Sequence, residues 1–244
     1  MTDQRPKIRV FVDAALGPGR EVPLHDQAHY LGTVMRLSAG DEVALFNGRD
    51  GEWAGRLAEM RKRQGLAHCV RQTAPQRDPP DLWLCFAPIK KTRTDFIVEK
   101  AAELGAARIQ PVFTQFTNSE RLRVDRLQAH AVEAAEQCGG TFVPDVAPPL
   151  RFASLLNAWP TDRSLLFCDE TLTAPSVQGA LGAGQPGPWG ILVGPEGGFA
   201  PEEIERLRAH PRCVPVTLGP RVLRADTAAV AALTAWQMHL GDWV

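Results

Sequence analysis

Residues 82–244 are predicted to form a parallel α/β sheet covered by helices on both faces, and residues 1–73 a small β-barrel, with an extended linker over 74–81 between them. Three observations carry this reading. Thr73-Ala-Pro-Gln-Arg-Asp-Pro-Pro-Asp81 holds three prolines in nine residues, which disfavours helix and interrupts strand ladders. Before it, short strand-like runs recur at close spacing between turn residues. After it, dense apolar runs alternate with helical patterns, the signature of crossover units.

In the first part the strand runs are 8–12, 42–46, 52–60 and 66–73, with one helical piece over 26–37. Asn47-Gly48 and Asp50-Gly51 tolerate positive φ and mark a hairpin between the second and third runs. Arg61-Lys62-Arg63 reads as a charged hairpin end. In the second part 82–89 is a strand, and Thr92 and Asp95 form a capping box for a helix ending at Gly105, with Ile97, Ala101 and Leu104 on its inner face. A strand at 109–113 follows, then a helix through Cys138 capped by Asp125 and Gln128 and stopped by Gly139-Gly140. Runs 164–169, 191–194 and 213–218 are strands, 201–209 and 227–240 are helices, and 179–188 reads as a connecting loop.

Composition narrows the function. The 244 residues carry 27 basic and 28 acidic groups and 44% hydrophobic residues, a globular profile that excludes general disorder and a polyanion-coating protein. No run of about 18 uncharged apolar residues exists, so no membrane span is expected. The beginning MTDQRPKIRVFVD lacks a signal-peptide pattern. Five widely spaced cysteines, none in a CxxC pair, read as buried thiols of a reducing cytoplasm, with no zinc site. His25 and His29 have i, i+4 spacing, but HExxH is absent and two surface histidines are the simpler account. Cys138 is read as core, and Glu99, Glu103, Glu133 and Glu136 as ion-pairing groups.

Two segments carry chemistry. Ile191-Leu-Val-Gly-Pro-Glu-Gly-Gly-Phe-Ala-Pro-Glu-Glu203 and Val216-Thr-Leu-Gly-Pro-Arg-Val-Leu-Arg-Ala-Asp-Thr227 each run from a strand through a glycine-marked loop into a helix. Ligands of open α/β sheets sit where such loops converge. Taken singly, Gly-Pro and Gly-Gly only make turns. Two such loops, one with Glu196 and one with Arg221, Arg224 and Asp226, are harder to read as turns alone. Neither is a P-loop or a dinucleotide fingerprint, so a nucleotide triphosphatase and a Rossmann dehydrogenase are disfavoured.

This pair of segments closely resembles the C-terminal motifs of the SPOUT methyltransferases, specifically the RsmE-type 16S ribosomal RNA uridine-N3 methyltransferases. The resemblance covers nearly the whole chain. His29-Tyr-Leu-Gly-Thr-Val-Met-Arg-Leu-Ser-Ala-Gly-Asp41 and Leu45-Phe-Asn-Gly48 are similar to that family's PUA-like RNA-binding barrel, and 96–105 and 133–139 to its central helices. It implies S-adenosylmethionine as donor, a homodimer, and a trefoil knot in the C-terminal α/β domain. By matching position, Gly194, Pro195, Glu196, Gly197, Leu218, Gly219, Arg221, Val222, Leu223 and Ala225 are implied to wrap the donor. Asp226 stands where many relatives have Glu, and Gly140 where Arg is common, which puts a phosphate contact there in doubt.

Uracil N3–H is a poor nucleophile, so such an enzyme must align donor and base and favour the ionised base. Charge then develops on O2 and O4 and calls for cations. Arg224, with Arg221 second to it, is the expected stabiliser, and Asp226 orients an arginine or helps remove the proton. The plainer reading is that these residues cap the last helix and pair with one another. N3 lies on the Watson–Crick edge, so the target is unpaired when methylated. Candidate contacts to the 16S rRNA of the small ribosomal subunit are Arg9, Arg36, Lys90 and Arg93, with Arg5, Lys7 and Lys91 behind them. Two rival readings are a SPOUT ribose 2′-O-methyltransferase, against which the 29–41 signature speaks, and a non-catalytic RNA-binding protein. The second needs neither the glycine loops nor Arg224 and Asp226.

Overall fold

The computed structural model describes residues 5–118 and 121–243. Contacts divide the chain into two units, Met1–Asp78 with Ala135–Val143, and Pro79–Ala134 with Pro144–Val244. The boundary at 78/79 falls inside the proline segment. The segment 135–143 groups with the first unit, although it follows the proline segment in sequence.

The first unit holds β1 (Arg9–Phe11), β2 (Glu21–Leu24), β3 (Glu42–Phe46), β4 (Glu52–Arg61) and β5 (Gln64–Ala74) in the order β1-β3-β4-β5-β2. Only β1 pairs parallel, with β3; the other ladders are antiparallel. Alternation places Val10, Val22, Leu24, Val43, Leu45 and Leu57 in one buried core. Register shifts along β4 and β5 bend that pair. The hairpin between β3 and β4 is present, with Gly48 and Gly51 at φ +76° and +74°. β2 escaped the sequence reading because Pro23 interrupts it; at the edge of the sheet a missing N–H costs no ladder bond. The predicted helix over 26–37 is α1 (Asp26–His29) followed by a π-helical turn, Tyr30–Val34. The chain leaves that turn through Arg36 at φ +56°.

A buried ionic cluster ties this unit together. Glu52, whose side chain has 0% exposure, receives Arg5, Arg9 (2.6 Å) and the Thr73 hydroxyl (2.7 Å). Arg9 also donates to the carbonyls of Ala135, Glu136 and Gly140, and Arg5 to that of Gly139, capping the end of a helix.

The second unit comprises β6 (Leu82–Phe86), α2 (Lys91–Glu103), β7 (Arg108–Phe113), α3 (Val124–Cys138, whose last residues group with the first unit), β8 (Asp145–Val146), β9 (Leu150–Arg151), α4 (Phe152–Asn157), β10 (Ser164–Cys168), α5 (Val177–Gly182), β11 (Trp189–Val193), α6 (Pro201–Ala209), β12 (Cys213–Val216) and α7 (Ala225–Leu240). The seven strands run in the order β12-β10-β11-β6-β7-β8, with β9 beside β7, and every ladder is parallel. Cys85, Leu165, Phe167 and Leu192 meet α4 and α6 on one face. α7 packs on β6, β11, α2 and α5. No helix is long and apolar enough to cross a membrane among the described residues.

The residues expected to cap α2 and α3 make other contacts. The N-cap of α2 is Lys90, so Thr92 and Asp95 lie inside the helix; the Thr94 hydroxyl instead bonds the backbone of Ile89. Asp125 pairs with Arg123, and Gln128 clamps Pro144 O and Val146 N–H. The stretch 179–188 begins as helix, since Ser176 caps α5 by accepting from Gly179 N–H. Gly105, at φ +75°, ends α2 as expected. Cys138 is exposed, a correction to its core assignment.

Candidate active site

Parallel strands deliver their following loops to one edge, and here β6, β10, β11 and β12 empty together. The loop after β11 is shaped by its glycines. A side chain at Gly194 would meet the Phe199 ring at 2.6 Å, and that ring packs edge-on against Phe167. Gly198 closes a turn by donating to Pro195 O at φ +71°. Glu203, buried at the start of α6, accepts from Ala200 N–H and Gln115 N–H and fixes the far end of the loop. The loop after β12 turns at Gly219, φ +121°, and leads to α7, whose N-cap is Arg224.

Between these loops lies a cavity of about 460 Å³. Gly194, Pro195, Glu196 and Gly198 form one wall, and Val222, Leu223, Arg224, Ala225 and Ala228 the other. Cys168 and Glu170 form its floor beyond β10, and Lys90 and Arg93 enter from α2. Leu218 and Arg221 line a smaller recess of about 40 Å³ that shares Cys168, Glu170, Val222 and Leu223. A second cavity of about 500 Å³ is bounded by Ile89, Lys90, Lys91, Asn118 and Glu196. Lys90 and Glu196 therefore face both large cavities.

The structure thus brings together most of the residues read from the sequence. Gly197 lines neither cavity and lies against Phe116, and Gly219 serves the turn. Arg224 and Asp226 form no ion pair; Asp226 takes Arg93 instead, at 2.7 Å. Arg93 and Lys90, read as RNA contacts, belong to the cavity wall. Arg9 is placed otherwise than as a surface phosphate contact: its side chain is 7% exposed, and its guanidinium donates to Glu52 and to the carbonyls of Ala135, Glu136 and Gly140. Arg36 is exposed on the first unit.

Glu170, Cys168 and Ala228 were missed. The signal for Glu170 was its place just after a strand end, since any polar residue there faces the ligand edge of a parallel sheet. Burial pushes the Cys168 thiol up to about 12, so it stays protonated and unreactive at neutral pH. Brief alkylation with iodoacetamide followed by peptide mass analysis should modify exposed Cys138 well before Cys168. Prior labelling of Cys168 would contradict the closed floor. Among the described residues no group of three potential metal ligands occurs.

The comparisons with known proteins agree with this architecture. A family model described as an RNA methyltransferase domain matches residues 76–237, and one described as an RNA methyltransferase PUA domain matches residues 25–67. The ribosomal RNA small subunit methyltransferase E of Synechocystis is 33% identical over 85% of this chain and 69% of its own. That of Rickettsia conorii is 27% identical over 92% of this chain and 93% of its own. The crystal structure of a ribosomal RNA small subunit methyltransferase E from Neisseria gonorrhoeae bound to S-adenosyl methionine superposes with a TM-score of 0.88, at 28% identity, covering 97% of this chain and 99% of that one.

Proposed function

The chain belongs to the RNA methyltransferase family, and from that premise we propose that it methylates small-subunit ribosomal RNA with S-adenosylmethionine, at N3 of a uridine. The observation that carries this reading is the convergence of two glycine-shaped loops and three cations on one cavity of about 460 Å³, a volume suited to a nucleoside-sized ligand. The cavity fits the donor: apolar Val193, Val222, Leu223 and Ala228 offer surface for an adenine, and Gly194, Pro195 and Gly198 form the facing wall, where the glycines let Phe199 and Glu170 pack close behind the loop. When bound, S-adenosylmethionine supplies an electrophilic methyl group.

The protein's own residues must then place and ionise the acceptor. We place the extruded base in the cavity beyond Lys90 and Glu196, where Asn118 offers an amide to its polar edge. Lys90, which lines both cavities, supplies positive charge where negative charge develops on O2 and O4, with Arg93 and Arg224 adding to it from the donor side, which eases loss of the N3 proton to water. Asp226 holds Arg93 by a 2.7 Å ion pair and so acts as a positioning residue. Arg36, exposed on the first unit, is proposed to meet RNA phosphate. Three further points are proposals: a homodimer, to which exposed Met238 and Trp243 lend apolar surface; action in the cytoplasm; and a trefoil knot, suggested by the return of the chain from edge strand β12 to α7 over β11 and β6.

Titration calorimetry with S-adenosylmethionine tests the donor site. One saturable site per chain is expected, and no binding would overturn the reading. In Gly198→Ala the left-handed backbone costs about 1–2 kcal/mol and the new methyl collides with Glu170. That variant should therefore melt earlier and bind the donor more weakly in the same titration.

A further inference from the structure

Glu170 stands at the junction of the larger cavity and the small recess, and lines both. Its position is tightly set. Asp169 before it is buried and anchored by Arg208 at 2.7 Å and by the Thr171 N–H at 2.9 Å. Glu170 Oε1 accepts the Phe199 N–H at 2.8 Å, and a side chain at Gly198 would run into that same oxygen. One carboxylate oxygen is thus spent on holding the loop after β11. Among the described residues Oε2 accepts no hydrogen bond, Glu170 makes no ion pair, and neither of its oxygens is a buried orphan. A charged acceptor is therefore fixed in place, uncommitted and reachable from the cavity.

Resting on the donor reading above, we propose that Glu170 Oε2 is the acceptor for the ribose hydroxyls of the nucleoside donor. A ribose diol presents two donors, and a carboxylate beyond a parallel strand is the group that accepts from them in other α/β nucleotide sites. Apolar Val222 and Leu223, common to the recess and the larger cavity, lie beside the carboxylate, so an adenine packed against them in the larger cavity brings its ribose toward Glu170. Leu172 is held at φ +59°, a conformation that side chains adopt at a cost and that is maintained only by its surroundings. The other carboxylate of the cavity, Glu196, is exposed and lies on the side shared with Lys90, Lys91 and Asn118. It faces the acceptor, not the recess.

The test measures affinity of the whole chain for S-adenosylhomocysteine and for its 2′-deoxy and 3′-deoxy analogues by calorimetry, with wild-type protein and Glu170→Gln. Glutamine keeps a carbonyl for the Phe199 N–H but loses the charged second acceptor. Wild-type protein should lose about ten- to a hundred-fold in affinity for at least one deoxy analogue. Glu170→Gln should lose a similar factor for the parent compound and show little further loss with that analogue. Wild-type protein that binds parent and both deoxy analogues alike overturns this inference while leaving the donor reading intact, and needs no variant to fold. Equal losses from the deoxy analogue in wild-type protein and Glu170→Gln also overturn it, since the hydroxyl is then read by another group. Wild-type protein that binds no adenosyl compound overturns the donor reading and this inference together.

Discussion

Replacing Arg224 with alanine is expected to lower single-turnover methylation of small-subunit RNA by about 10²–10³-fold, the usual loss on deleting one group aimed at developing charge. Arg224 is the N-cap of α7, but its side chain makes no capping bond, so the backbone there does not depend on it. It lines the donor cavity, on the wall opposite the glycine loop. Donor affinity should change far less than turnover. Rapid-quench methylation assays on undermethylated subunits, paired with donor calorimetry, separate the two. Unchanged turnover would remove Arg224 from the chemistry, leaving Lys90 and Arg93 as the cations. Arg93→Ala is a second case with a different signature, because it strands Asp226, a carboxylate whose side chain is only 17% exposed.

Glu52→Ala should have the largest effect on stability. The substitution leaves Arg9, at 7% exposure, without its countercharge inside the first unit. Breaking a buried pair from one side costs about 3–5 kcal/mol. Burial acts to raise the Glu52 pKa, yet the bonds from Arg5, Thr73 and Arg9 outweigh it and hold the group below its ordinary value of 4.5. A carboxylate with a depressed folded pKa stabilises above its unfolded pKa and loses that contribution as pH falls through the folded value. Urea denaturation should therefore show a wide gap between wild type and Glu52→Ala at pH 7, narrowing progressively below about pH 4.5. A gap that persists unchanged at pH 3 would mean that the side chain acts by packing alone.

The contrast between these two sites shows what a single sequence discloses. Short apolar runs closed by turn residues were readable to the residue, as at β3 before Asn47-Gly48, and so was α6, where Pro201 at the first helical position and Glu203 mark the start. The glycine loops were readable because glycine adopts the positive φ found at Gly198 and Gly219 at the least cost. What was hidden depends on partners far along the chain. Arg9 looks like any surface cation until Glu52 and the carbonyls of 135–140 are brought to it. Asp226 was expected to orient an arginine or help remove the proton, and the arginine it meets is Arg93, 133 residues away. Lys90 caps α2 with no side-chain signal at all, and α4 and α5 are six residues each, too short for periodicity to register.

One measurement reaches the central claim directly. Undermethylated small subunits are incubated with the protein and S-adenosylmethionine carrying a trideuterated methyl group, and the RNA is digested and mapped by mass spectrometry. The account predicts the heavy methyl on the base of a single uridine, with the fragmentation pattern of an N3-substituted uracil. A heavy methyl on a ribose oxygen, or RNA that acquires no label while the protein is folded and the donor present, would contradict it.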